Sequence, residues 1–106
     1  MTDISLTAIG IVRARPGQEE ELGRRMAALI APTVAEPGCI SYELFRSTED
    51  PALWMLLEQW RSAADLDAHV GSPHLQAFLR SKDEVIEGSP DSYRWVRHQP
   101  LNEGTK

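Results

Sequence analysis

Cysteine is the scarcest chemically versatile residue in this 106-residue chain, with Cys39 its sole example. One thiol cannot close an internal disulfide, and it excludes a cysteine-based zinc or iron–sulfur site within a single chain. It fits a reducing compartment, so a cytoplasmic location is expected. Basic residues are also short: 11 Lys and Arg against 16 Asp and Glu leave a net charge of −5. A nucleic-acid binder needs a basic footprint to displace counterions, so no nucleic-acid partner is expected. No apolar run approaches membrane-spanning length, and "MTDISLTAIGIV" has neither a charged lead nor a cleavage site. Neither membrane insertion nor secretion is therefore expected. Glycine-rich phosphate loops, internal repeats and low-complexity segments are missing too.

What remains is ordinary globular material, 42% hydrophobic and 25% charged. The length suits one domain over residues 1–100. The tail "LNEGTK", residues 101–106, has nothing to bury and is expected to be disordered.

Strand and helix signals alternate along the chain. "ISLTAIGIVRAR" (Ile4 to Arg15) is rich in β-branched residues and is followed by the turn "RPGQ". From Gln18 the period becomes helical, with Leu22, Met26, Leu29, Ile30 and Val34 in one stripe and Glu19, Glu20 and Glu21 in the first turn. Pro32 is expected to kink the last turn or end its hydrogen bonding, and "EPGC" stops the helix. "ISYELFRS" and "LWMLLEQWR" read as strands around the turn "TEDPA". Ser62 and Asp65 resemble a capping box for a short helix ending near Gly71, and Ser72–Pro73 opens another. That helix carries Leu75, Phe78 and Leu79, with Val85 a further candidate for its stripe. "SYRWVRH" supplies a last strand.

Strand, helix, two strands, helices, strand is the split β-α-β order of a ferredoxin-like α+β sandwich, one antiparallel sheet with helices on one face. In the third strand Trp54, Leu56, Glu58 and Trp60 face one way, while Met55, Leu57, Gln59 and Arg61 face the other. In the first strand Ile9 and Ile11 oppose Leu6, Ala8 and Val12. Both faces are apolar, yet the helices can cover only one. A homodimer packed through the open sheet faces is expected, giving a dimeric α+β barrel.

Usable chemistry concentrates in "LLEQWRSAADLDAHVGSPHLQAF" (Leu56 to Phe78), which holds Glu58, Trp60, His69 and His74. A carboxylate on an apolar strand face needs a partner, and a histidine, an arginine or backbone donors are the candidates for Glu58. His69 falls near a helix C-terminus, where the dipole favours the imidazolium, and His74 near a helix N-terminus, where it favours neutral imidazole. On that argument His74 is the initial base and His69 the cationic partner for developing negative charge. Trp60 and Trp54 are candidates for a flat wall against an aromatic ligand, Trp60 being first of all a core residue. Glu58, His69 and His74 have no recognised metal-ligand spacing, so no metal is expected. Cys39 reads as a small buried hydrophobe, and Arg13, Arg15, Arg94 and Arg97 as solvated strand charges.

Three stretches, "VRARPGQEEEL", "EPGCISYEL" and the Leu56–Phe78 run, resemble in order the antibiotic biosynthesis monooxygenase superfamily, and most of all its small bacterial quinol monooxygenases. The resemblance implies oxidation of a quinol or related polyphenolic small molecule by O₂, without metal, flavin or other cofactor. It implies catalytic roles for Glu58, His69 and His74 and substrate contact by Trp60. Haem-degrading relatives use a first-strand asparagine, and "LTAIGIVRAR" has Gly10 at the nearest equivalent place, which makes haem chemistry the less expected branch. A non-catalytic or isomerase-like dimeric binder of a small aromatic ligand is the remaining alternative.

Overall fold

A computed structural model of the chain describes residues 5–98. β1 (Leu6–Arg13) leads into α1 (Glu19–Ala27) and the short α2 (Ile30–Val34), then β2 (Cys39–Arg46) and β3 (Leu53–Trp60). α3 (Ala63–Val70), α4 (Pro73–Arg80), a 3₁₀ turn at Lys82–Glu84 and β4 (Asp91–Val96) follow. The sheet order is β2-β3-β1-β4 with antiparallel neighbours throughout, the ferredoxin-like α+β arrangement. The tail at 101–106 lies outside the described residues. No helix among the described residues is long and apolar enough to cross a membrane.

The first helical stretch breaks a full turn earlier than the position of Pro32. The proline ring removes the N–H that would bond the Ala28 carbonyl and clashes with it, so α1 ends at Ala27 and α2 starts at Ile30. The break also changes the phase. Thr33 takes the buried position, and Val34, expected in the apolar stripe, is 50% exposed. Both serine caps form: Ser62 Oγ accepts from Asp65 N and Ser72 Oγ from Leu75 N. Asp65 is too short to reach back to the Ser62 backbone, and its carboxylate accepts from the Ser62 hydroxyl and Arg61 instead. Val85 lies beyond α4, after the 3₁₀ turn, where it and Ile86 close one end of the core at 1% exposure each.

The core lies between the helices and one sheet face, on Leu6, Ala8, Val12, Leu22, Met26, Leu29, Leu56, Trp60 and Leu66. Pairing across this face sets out rows of side chains. Tyr42, Glu58, Ala8 and Arg94 form one row, and Leu44, Leu56, Gly10 and Ser92 the next. β1 thus places its two smallest residues at the middle of the sheet. A Cβ added at Gly10 would meet nothing within 4 Å. The opposite face carries Ile9, Ile11, Phe45, Met55, Leu57, Tyr93 and Trp95, and no helix among the described residues covers it.

Candidate active site

A cavity of about 270 Å³ opens above Ala8 and Gly10. Met26, Leu29, Leu56, Leu66 and Phe78 give it apolar walls, and Tyr42, Glu58, His69 and Arg94 reach it as well. An engineered apolar cavity of about 150 Å³ holds benzene, so this one has room for one or two fused rings.

Glu58 and Trp60 share a face because they are two apart on β3. The Trp60 indole N–H donates to Glu58 Oε1 at 2.9 Å, so the partner of this carboxylate is its neighbour on the same strand. Burial pushes the Glu58 carboxyl above its ordinary range, while the Trp60 N–H and then the His69 charge act against that shift. Beside it the Tyr42 phenol is also held high, first by burial and then by the Glu58 charge. The Tyr42 hydroxyl is sealed and, like the Thr33 hydroxyl, has no hydrogen-bond partner among the described residues.

The His69 ring is 2% exposed, with Trp60 at 4.9 Å between centroids and Tyr42 edge-on at 5.5 Å. Its Nδ1 lies 2.8 Å from Glu36 Oε2, and the same oxygen lies 2.6 Å from His74 Nε2. A carboxylate only accepts, so the proton of His69 is assigned to Nδ1 and its Nε2 is left as an acceptor. Among the described residues the sealed polar side-chain atoms without partners are Thr33 Oγ1, Tyr42 OH and Trp54 Nε1. Among the described residues no protein partner is recorded for His69 Nε2 or Glu58 Oε2, and both residues line the cavity.

Glu36 reaches the histidines because its loop is fixed to the start of α3. Gly38, at φ 83, takes a left-handed conformation that other residues adopt only with strain. A Cβ there would overlap Asp65, and the Gly38 carbonyl accepts from Arg61 N at 2.7 Å. In the sequence "EPGC" reads as a helix stop and as part of a stretch shared with the family, with no role for Glu36. Nothing local marks Glu36, which stands 33 positions from His69.

The expected site residues therefore separate. Glu58 and His69 line the cavity, Trp60 is fully buried behind them, and His74 joins the group through its bond to Glu36, its ring centroid 6.0 Å from that of His69. Trp54 lies toward the other end of β3, packed on α1 where Gly23 leaves room for its ring, with the Arg46 guanidinium 4.7 Å from its centroid. Arg94, read from sequence as a solvated charge, lines the cavity and pairs with Asp67 at 2.9 Å. Cys39 is half-buried against the core, and burial raises its thiol further, which makes it a poor nucleophile.

Glu36, His69 and His74 offer three donor atoms within 4.8 Å of one another, the one group among the described residues with the makings of a metal site. The 2.6 and 2.8 Å separations are those of hydrogen bonds. Ligands each about 2.0–2.1 Å from a tetrahedral ion stand farther apart than that.

Residues 5–81 match the family model described as Antibiotic biosynthesis monooxygenase. The chain is 45% identical to "Putative monooxygenase Rv0793" of Mycobacterium tuberculosis, over 68% of this chain and 70% of that protein. It is 31% identical to "Probable quinol monooxygenase YgiN" of Escherichia coli K12, over 77% of this chain and 89% of that one. It spans only 57% of the Synechocystis protein sll1783, to which it is 30% identical. The crystal structure of PA3566 from Pseudomonas aeruginosa superposes with a TM-score of 0.85 at 33% identity, covering 93% of this chain and 98% of that one. A match running through the sheet and the helices that build the cavity means that this chain belongs to the antibiotic biosynthesis monooxygenase family.

Proposed function

We propose that the chain is a cofactor-independent monooxygenase that oxidises a quinol or related polyphenol with O₂. The observation that carries this reading is a histidine lining an apolar cavity with its Nδ1 held by a carboxylate, which leaves Nε2 as its acceptor. His69 Nε2 takes a phenolic proton, and Glu36 supports the imidazolium that forms. The resulting phenolate is electron-rich enough to pass one electron to O₂. Recombination of the two radicals forms a carbon–oxygen bond, and loss of water leaves a hydroxyquinone. One quinol and one O₂ give one hydroxyquinone and one water, so the substrate supplies every electron and no external reductant is needed. The apolar walls keep bulk water from the radical pair.

The base in this reading is His69, with His74 supporting it through Glu36. The helix ends used in the dipole argument are where sequence placed them, His69 in the last turn of α3 and His74 at the start of α4. His69 lines the cavity and His74 does not, which supports His69 as the base. The experiment is oxygen uptake by metal-stripped protein across a panel of hydroquinones, with superoxide scavengers present to suppress autoxidation. Uptake of one O₂ per quinol, with label from ¹⁸O₂ entering the product, is the expected result. Tight binding of the same compounds with no enzyme-dependent uptake would leave a binder or an isomerase-like enzyme in its place.

We also propose that a second copy of this chain covers the open sheet face. Phe45, Tyr93 and Trp95 add 43–55% exposed aromatic surface to Ile9, Ile11, Met55 and Leu57. Each such group left in water forgoes about 1.5–3 kcal/mol. Sedimentation equilibrium at micromolar concentration should give a dimer, and Leu57→Glu, at the middle of the face, should shift it to monomer or aggregate. A stable native monomer would overturn the proposal. The single thiol and the reduced substrate fit a cytoplasmic setting.

A further inference from the structure

We infer that Glu36, His69 and His74 form a zinc-binding site whose occupation switches off the base in the cavity. The three offer a carboxylate oxygen and two ring nitrogens within 4.8 Å of one another. Two imidazoles and one carboxylate are a donor set that zinc takes at three-ligand sites. Both ring nitrogens, His69 Nδ1 and His74 Nε2, are aimed at one point, the Glu36 Oε2 that lies 2.8 and 2.6 Å from them. The nitrogens are closer together than a straight line through that oxygen would place them. They therefore meet it at an angle, as ligands meet a tetrahedral ion. An ion at that point needs the carboxylate to withdraw by about 2 Å, one zinc–oxygen bond, and the rings to approach by about 0.5–0.8 Å. The side-chain torsions of Glu36 can take up that withdrawal while its loop stays in place.

Burial sets the direction of entry. The His69 side chain is 3% exposed, Glu36 13% and His74 22%, so an ion reaches the group from solvent past His74. Trp60 and Tyr42 hold the inner ring in place. Ser72 Oγ lies 3.3 Å from His74 Nε2, which puts a hydroxyl beside the fourth position, where it or a water can complete the shell. Zinc needs a bare lone pair on each ligating nitrogen. A neutral imidazole meets that need by moving its proton to the far nitrogen, from Nδ1 to Nε2 in His69 and from Nε2 to Nδ1 in His74. The neutral pair neither gains nor loses a proton. The Nε2 of His69 is then an N–H in place of an acceptor, and it cannot take a phenolic proton. This effect on turnover rests on the reading of His69 as the base, whereas the binding of zinc does not.

The test is calorimetric titration of the chelator-stripped chain with zinc chloride. Binding should saturate at one zinc per chain. Glu36→Gln and His74→Gln should each weaken it by at least about tenfold, since even the loss of a group behind a ligand costs that much. Cys39→Ser and His98→Gln, which remove the sole thiol and the exposed third histidine, should leave it unchanged. ¹⁵N NMR of the imidazoles should find the His69 proton on Nδ1 without zinc and on Nε2 with it. Quinol oxidation should fall in step with zinc occupancy and return on addition of EDTA. Zinc binding that survives both Glu36→Gln and His74→Gln, or that is lost in Cys39→Ser or His98→Gln, would place the ion elsewhere and overturn the site. Zinc-loaded protein that oxidises quinol as fast as the zinc-free protein, or faster, would overturn the switch. Binding is read without turnover, so a chain that holds zinc at these residues but consumes no O₂ in either state would refute the oxygenase reading and leave the site standing.

Discussion

Replacing His69 with glutamine is expected to lower quinol turnover by about 10²–10⁴, the usual contribution of a positioned proton-transfer group. Glutamine is preferred to alanine because His69 is buried between Trp60 and Tyr42, where truncation would open a void and strand Glu36. The loss should fall on kcat, since the base acts on the proton after the ring is bound. Glu36→Gln should cost up to about 10⁴, because the amide can hold the imidazole in the wrong tautomer and cannot stabilise the imidazolium. His74→Gln should cost least, because its ring does not line the cavity and hydrogen-bonds to the cluster through the Glu36 oxygen. Stopped-flow or oxygen-electrode rates at saturating quinol make the comparison. A His74 variant weaker than the His69 variant would return the base to the helix N-terminus.

That ranking shows where sequence reading stops. Strand faces, both serine caps and the alternation around Glu58 depend on neighbours a few residues apart, and all were legible. Period-two alternation also puts Glu58 beside Trp60, so the indole could have been named as the partner of the carboxylate. Trp54 could have been excluded as a second wall, since six residues at about 3.3 Å each place it about 20 Å along the strand from Trp60. Glu36 was different. It reaches His69 through a turn whose shape depends on Gly38 and Asp65, and no spacing rule links positions in separate elements. Arg94 was missed for a similar reason: its place opposite Ala8 follows from which strand lies beside β1, and only the sheet order shows that.

Trp60→Phe should destabilise the protein by about 2–4 kcal/mol near neutral pH, part from lost packing and part from a buried carboxylate deprived of its donor. The two parts can be separated by pH. The Glu58 carboxyl is raised in the folded state, first by burial, so the fold holds its proton to higher pH than the unfolded chain does. Stability from this group is full below the ordinary carboxylate range and is lost as pH rises through the folded value. Removing the Trp60 N–H, which favours the charged form, widens that window, so the variant should lose more at about pH 8 than at about pH 5.5. Packing loss does not depend on pH. Adding Glu58→Gln should flatten the difference, because the amide has no charge to strand. Urea unfolding at fixed protein concentration reads this directly, the concentration being held because assembly would otherwise enter the midpoint. A Trp60→Phe penalty that is the same at both pH values would mean that the indole is only a wedge in the core, and that its N–H does not stabilise the Glu58 carboxylate.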